Sequence, residues 1–265
     1  MLKLDDRGRI NMSDLITPFE RDYNMSIADR ESMEAELVEM AREEHGETIT
    51  AIWVSSNSVY SNFIRTTEAR YFPEVAELDE SYDMSQDMFM LVDTRPEDPK
   101  ILHATTVMEY AGTGRMPDRT GFYTVDSLAA KGNFTLDEFR EYYMDQGVDL
   151  EKCLAVETNF KVHPKARRYE RFFGSADLAN IIVYQELLRR GAEIGSAVVF
   201  ATVNDAQARS LDRTGIQIDK LMGRDKFNTE EADHGIKSSP IALVANRATA
   251  DFFDSVQVEL PEIRI

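Results

Sequence analysis

The chain has one cysteine, Cys153, in 265 residues. A single thiol forms no internal disulfide and builds no cysteine-based metal cage. Histidine is nearly as scarce: His45, His103, His163 and His234 stand far apart, and none pairs at the short spacing of a zinc motif. No metal is expected. No apolar run approaches the ~20 residues that a membrane span needs, and the opening MLKLDDRGRINMSD holds no signal-peptide core. The expectation is a cytoplasmic protein without a membrane partner. Basic residues are also in deficit: 30 Lys and Arg face 48 Asp and Glu, a net charge of −18. That field repels nucleic acid. The deficit is uneven, with 23 acids against 10 bases in residues 1–100 and 25 against 20 in the remainder, so a basic site is to be sought in the second half.

With 43% hydrophobic residues, the chain can bury the core of one large domain with appendages. Residues 1–48 read as an N-terminal helical extension, 49–247 as the main domain and 248–265 as a C-terminal tail. Met33, Leu37, Met40 and Ala41 recur at helical spacing in a helix over 29–44, opposite an acidic face. The β-branched and aromatic run at 48–54 reads as a strand, followed by a helix at 59–71 and strands at 88–93 and 101–110. Thr135 and Glu138 are spaced as a capping box for a helix over 135–144. Then come a strand at 154–162, a helix at 175–190 stopped by Gly191, and a buried strand at 196–203. A short helix at 205–214 is stopped by Gly215, and strands at 216–221 and 241–244 finish the domain. Strand, helix, strand in this order implies a right-handed crossover and a parallel pair.

Between the strand at 154–162 and the next helix the charge inverts. Residues 161–171 read KVHPKARRYER, with five Lys or Arg, and lead into Arg171-Phe172-Phe173-Gly174-Ser175-Ala176. A helix start has unpaired N–H groups and a positive dipole end. Small residues at Gly174, Ser175 and Ala176 let a phosphate approach them, and neighbouring guanidinium groups add charge-assisted hydrogen bonds. This is an anion site, most simply for a pyrophosphate, or else an ordinary basic surface loop.

Arg171-x-x-Gly174-x-Ala176 resembles the Arg/Gln-x-x-Gly-x-Gly/Ala signature of the GNAT acyltransferase superfamily. The strand ending in Val162-His163-Pro164 is similar to that family's fourth strand, and Asn204, Ala208 and Gly215 resemble the segment after its fifth. The resemblance covers residues 48–247. A second likeness joins Phe63-Ile64-Arg65, Ala69-Arg70-Tyr71-Phe72, Asp79 and Tyr82-Asp83, which resemble the start of acyl-homoserine-lactone synthases and bacterial N-acyl amino acid synthases. Asn159 stands where that branch carries an Arg, a departure that argues against lactone formation.

The GNAT resemblance implies an α/β fold with a mixed central sheet splayed between its fourth and fifth strands and flanked by helices. It implies direct acyl transfer from an acetyl-CoA, acyl-CoA or acyl-carrier-protein thioester to an amine of a small molecule. On that reading, backbone amides at Phe160, Lys161 and Val162 hold the pantetheine and polarise the thioester carbonyl. Arg171, Phe172, Phe173, Gly174, Ser175 and Ala176 hold the pyrophosphate. Asn204 completes the cofactor site, and Lys165, Arg167 and Arg168 meet a further phosphate or an acidic carrier protein. A base must take the amine proton: Glu157 is the first candidate and Glu109 the second. The Tyr that many such enzymes use as acid is replaced by Leu211, beside Ser210, which substitutes for it through a water or leaves the thiolate to depart unaided. His103, Tyr184 and Cys153 read as structural. Met84, Met88, Met90 and Met108 suit either an acyl tunnel or plain core filling. The acceptor is expected near 59–83 and 223–239, since irregular loops beside a rigid sheet carry specificity. The competing reading is a non-catalytic GNAT-like protein that binds an acyl thioester without turnover.

Overall fold

The computed structural model describes residues 25–71, 86–95, 99–110, 118–162, 176–193, 195–196, 198–204, 208–209, 211, 217–224, 227, 238–244 and 260–265. The helices are α1 (Ile27–His45), α2 (Ser61–Tyr71), α3 (Tyr123–Ala130), α4 (Leu136–Asp145) and α5 (Ala176–Glu193). The strands are β1 (Ile49–Ser55), β2 (Gln86–Asp93), β3 (Lys100–Glu109), β4 (Leu154–Lys161), β5 (Val198–Asn204), β6 (Gln217–Lys220), β7 (Ser238–Val244) and β8 (Glu262–Arg264). They form one mixed sheet in the order β6-β7-β5-β4-β3-β2-β1-β8. From β1 to β4 every neighbour is antiparallel. β4 and β5 then run parallel, as the crossover through α5 requires. This is the GNAT-like α/β architecture that the motifs imply.

Alternation along each strand divides two cores. Ala51, Trp53, Phe89, Leu91, Val156, Val199 and Ala201 pack with Val183 and Leu187 of α5. On the other face, Ile52, Val54, Met88, Met90 and Ala104 meet Leu37 and Ala41 of α1 and Phe63 and Ile64 of α2. The same face continues under α3 and α4 as an aromatic cluster of Phe122, Phe139, Tyr143 and Phe200. Met88 and Met90 are wholly buried there, so they fill core. Tyr184 is likewise buried, on α5. Among the described residues no helix is long and apolar enough to cross a membrane.

Local chemistry sets several boundaries. The Thr135–Glu138 capping box forms, with Glu138 N–H donating to Thr135 Oγ1 and Thr135 N–H to Glu138 Oε2. Ser26 caps α1 through Asp29 N–H. Gly191 does not stop α5, which runs on to Glu193. A Cβ at Gly191 would lie 3.5 Å from both Ser196 Cβ and Val199 Cγ2. Its glycine therefore lets the last turn approach β5, and the reversal falls instead at Gly195, with φ +78°. Two further strands complete the sheet. β7 inserts between β5 and β6, and residues 262–264, expected in a tail, add β8 to the edge of the sheet parallel to β1.

Candidate active site

The sheet forks. β4 and β5 pair only at Leu154↔Val199, Ala155↔Phe200 and Val156↔Ala201. Past that point β4 stays with β3 as far as Lys161, opposite His103, while β5 stays with β7 as far as Asn204, opposite Ser238. Each arm is held from its outer side, and among the described residues no strand pairs with the inner edges. Because the two strands are parallel, the fork opens at their carboxyl ends, where crossover sheets place ligand crevices.

The amides along the inner edge of β4 can be assigned. Val162 N–H donates to Leu102 O at 3.1 Å. Hydrogen-bond direction alternates along an antiparallel strand, so Phe160 and Val162 turn their amides to β3. Asn159 and Lys161 turn theirs to the fork. This corrects the expectation that Phe160, Lys161 and Val162 act together as amide donors, since two of the three are already used within the sheet.

Glu157 stands at the fork's apex, the first residue of β4 beyond the last pair with β5. The β3–β4 register passes from Thr106↔Thr158 to Val107↔Val156, which leaves Glu157 as the extra residue of a β-bulge. A bulge re-aims the side chain it carries, and this one delivers the carboxylate to α3. Thr124 N–H lies 3.3 Å from Oε1 and 3.2 Å from Oε2, and Thr124 Oγ1 donates to Oε2 at 2.8 Å. Thr202 Oγ1, from the first residue of β5 beyond the fork, donates in turn to Thr124 Oγ1 at 3.4 Å.

Three influences set this carboxyl's proton affinity. Desolvation by burial raises it most, Asp126 and Glu68 raise it further by their negative charge, and the two hydrogen bonds from Thr124 lower it. The balance pushes the pKa up to about 7. Asp126 is fixed by Thr120 N–H and Oγ1, both at 2.8 Å, and by Gly121 N–H at 3.3 Å. Glu68 accepts from Thr106 Oγ1 at 3.0 Å. Below the apex, Phe122, Val125, Ala155, Phe200 and Leu221 line a small apolar cleft with Thr124 and Glu157 on its wall. Tyr143 Oη accepts from Met222 N–H at 3.1 Å and fastens the Leu221–Gly223 turn over that cleft.

The remaining candidates fare unevenly. Glu109 closes β3 opposite Leu154, at the paired end of β4 and away from the fork. Ala176 begins α5, and Asn204 ends β5. Lys165, Arg167, Arg168, Arg171, Phe172, Phe173, Gly174, Ser175 and Ser210 lie outside the described residues. Leu211 is buried against the α5 core. Cys153 is buried too, and desolvation pushes its thiol pKa up to about 11, which keeps it protonated and unreactive. His103 is buried on β3. Among the described residues no three His, Cys, Asp or Glu side chains converge as a metal site requires. Thr124, Thr202, Asp126 and Glu68 were not singled out by the sequence. Their one local signal is Thr120-Gly121 ahead of Asp126, a turn with a carboxylate able to reach back to it.

No protein-family model matches the chain, and no curated protein matches it in sequence. Several solved structures are similar in fold. A CoA-dependent acyl-homoserine lactone synthase, BjaI, solved with SAM and isopentyl-CoA, aligns over 82% of this chain and 93% of its own at 11% identity and a TM-score of 0.47. A probable acetyltransferase from Staphylococcus epidermidis aligns over 75% of this chain and 100% of its own, at 10% identity and a TM-score of 0.38. Nourseothricin acetyltransferase aligns over 62% and 68%, at 15% identity and a TM-score of 0.27.

Proposed function

We propose that this chain is an acyltransferase that moves an acyl group from a coenzyme A or carrier-protein thioester to the amine of a small molecule by direct attack. The observation that carries the reading is the placement of the Glu157 carboxylate at the apex of an open strand fork, where burial pushes its pKa up to about 7. A base with that pKa is partly ionised at neutral pH and strong enough to accept an amine proton, the optimum for general base catalysis.

The fork suits a pantetheine arm. The amides of Asn159 and Lys161 face it, and an extended chain laid there would take hydrogen bonds that β5 leaves unmade. The sequence that follows β4 carries Lys165, Arg167, Arg168 and Arg171, a run of positive charge suited to the donor's phosphates. The apolar side chains below Glu157, among them Phe122, Val125 and Phe200, offer a surface against which an acyl group would pack. In the reaction the amine nitrogen bonds to the thioester carbonyl carbon and the C–S bond breaks. The amine proton passes to Glu157, which returns it to the departing thiolate or to water.

The competing reading, binding without turnover, draws on Leu211, which is buried where an acid would be expected. Turnover separates the two. Purified protein is mixed with acetyl-, butyryl- and octanoyl-CoA and a panel of amines, and thiol release and acylated products are followed by mass. The expected result is amide formation that falls about 10²–10⁴-fold in Glu157→Gln, the usual worth of a general base. Thermal stabilisation by coenzyme A without product from any pair would establish the binding protein instead.

A further inference from the structure

Glu157 holds its two oxygens unequally. Oε2 takes the 2.8 Å hydroxyl bond and the shorter of the two amide contacts, whereas among the described residues Oε1 has the 3.3 Å amide contact alone. The hydroxyls also run in one direction. Thr202 donates to Thr124, and Thr124 gives its one proton to the carboxylate. This chain crosses the fork at the first residue beyond the last β4–β5 pair on each strand, so it joins β5, α3 and the bulge in β4.

We propose that Thr124 is a positioning residue which fixes the rotation of the Glu157 carboxylate, leaving Oε1 as the oxygen that takes the acceptor's proton, with Thr202 completing the donor chain from the opposite strand. The inference deepens the acyltransferase reading and rests on it for the identity of the proton. Charge-assisted hydrogen bonds of this kind favour the ionised carboxylate. Among the described residues the charged groups that act on Glu157 are Asp126 on α3 and Glu68 on α2, both negative, and β5 contributes the Thr202 hydroxyl. The donor chain therefore opposes two carboxylates and a desolvated site that all favour the protonated acid. Removing the Thr124 hydroxyl should raise the pKa and free the carboxylate to rotate.

The test reads Glu157 directly. In protein labelled with ¹³C at glutamate side chains, its carboxyl resonance is assigned by its loss in Glu157→Gln and titrated without donor or acceptor. Thr124→Val should move the midpoint upward by about one pH unit, Thr202→Val by less in the same direction, and Thr124→Ser should restore the wild-type midpoint. With acyl-CoA and amine, the acidic limb of the kcat/KM profile should move in step with each titration. A wild-type midpoint in both valine variants overturns the proposal. So does a midpoint that moves while the pH–rate profile stays in place. If Thr124→Val does not fold, Thr202→Val, altered from the far strand, decides the same question. If the wild type turns over no thioester–amine pair, the functional reading fails. The titration then still decides whether Thr124 and Thr202 hold the carboxylate.

Discussion

Replacing Glu157 with Gln should stabilise the protein at alkaline pH while slowing the proposed acyl transfer. A carboxyl that titrates near 7 when folded and near its ordinary 4.5 when unfolded is harder to ionise in the native state. Between those values the folded chain binds more protons than the unfolded one, so stability falls as pH rises through the window. At 1.36 kcal/mol per pH unit the cost reaches about 3 kcal/mol at pH 8 and is nearly absent at pH 4. Gln stands for the neutral acid and keeps an amide oxygen that Thr124 can still reach. Urea unfolding of both proteins at pH 5 and pH 8 measures the difference. Glu157→Gln should exceed the wild type by about 3 kcal/mol at pH 8, a gain of roughly 5–10 °C in Tm, and by under about 1 kcal/mol at pH 5. An equal difference at the two pH values, or a variant weaker than wild type at pH 8, would refute the reasoning. The first outcome would mean that the carboxyl titrates alike in the folded and unfolded chain, and the second that the carboxylate is stabilised where it sits.

What the sequence reveals about this site divides along a physical line. Signals carried by neighbouring residues survive into the structure: the Thr135–Glu138 box caps α4, and the apolar run in β5 is a buried central strand. Glu157 was legible as a candidate because it lies on the strand expected to line the cleft. Its surroundings were not. The bulge that turns it toward α3 is a property of register between two strands, set by hydrogen bonds that no local pattern encodes. Thr124 lies 33 residues from its partner, in an eight-residue helix whose N-cap, Phe122, offers no capping side chain. Such a helix is held by the packing of Val125 and Leu128 into the aromatic cluster, with little contribution from propensity or caps. β8 escaped for a related reason. Three residues carry too little periodicity to read, and their place beside β1 comes from pairing Ala51, Ile52 and Trp53 across more than two hundred residues of chain.

Three further outcomes are expected. Arg171→Glu should weaken coenzyme A binding at least tenfold by calorimetry while leaving Tm unchanged, because it sets a negative charge where a phosphate is expected; unaltered affinity would remove the basic segment from the donor site. Phe200→Ala removes a ring packed 5.0–5.5 Å from those of Phe122, Phe139 and Tyr143 and should cost about 3–5 kcal/mol. The protein that remains folded should accept longer acyl thioesters relative to acetyl-CoA, and an unchanged chain-length profile would place the acyl group elsewhere. Tyr143→Phe isolates one buried hydrogen bond. The Tyr143 hydroxyl accepts from Met222 N–H at 3.1 Å, and desolvation raises its pKa, so it stays neutral across the working range. Met222 also sits at φ +51°, a conformation a non-glycine residue holds only when its surroundings impose it. Without the acceptor, that buried N–H is left unsatisfied at a cost of about 1–3 kcal/mol, and the Leu221–Gly223 turn over the cleft should loosen. Hydrogen exchange at the Met222 amide should therefore accelerate by more than the global loss of stability explains. If exchange there changes only in proportion to global stability, the turn is held by the packing of Leu221 and not by the phenol.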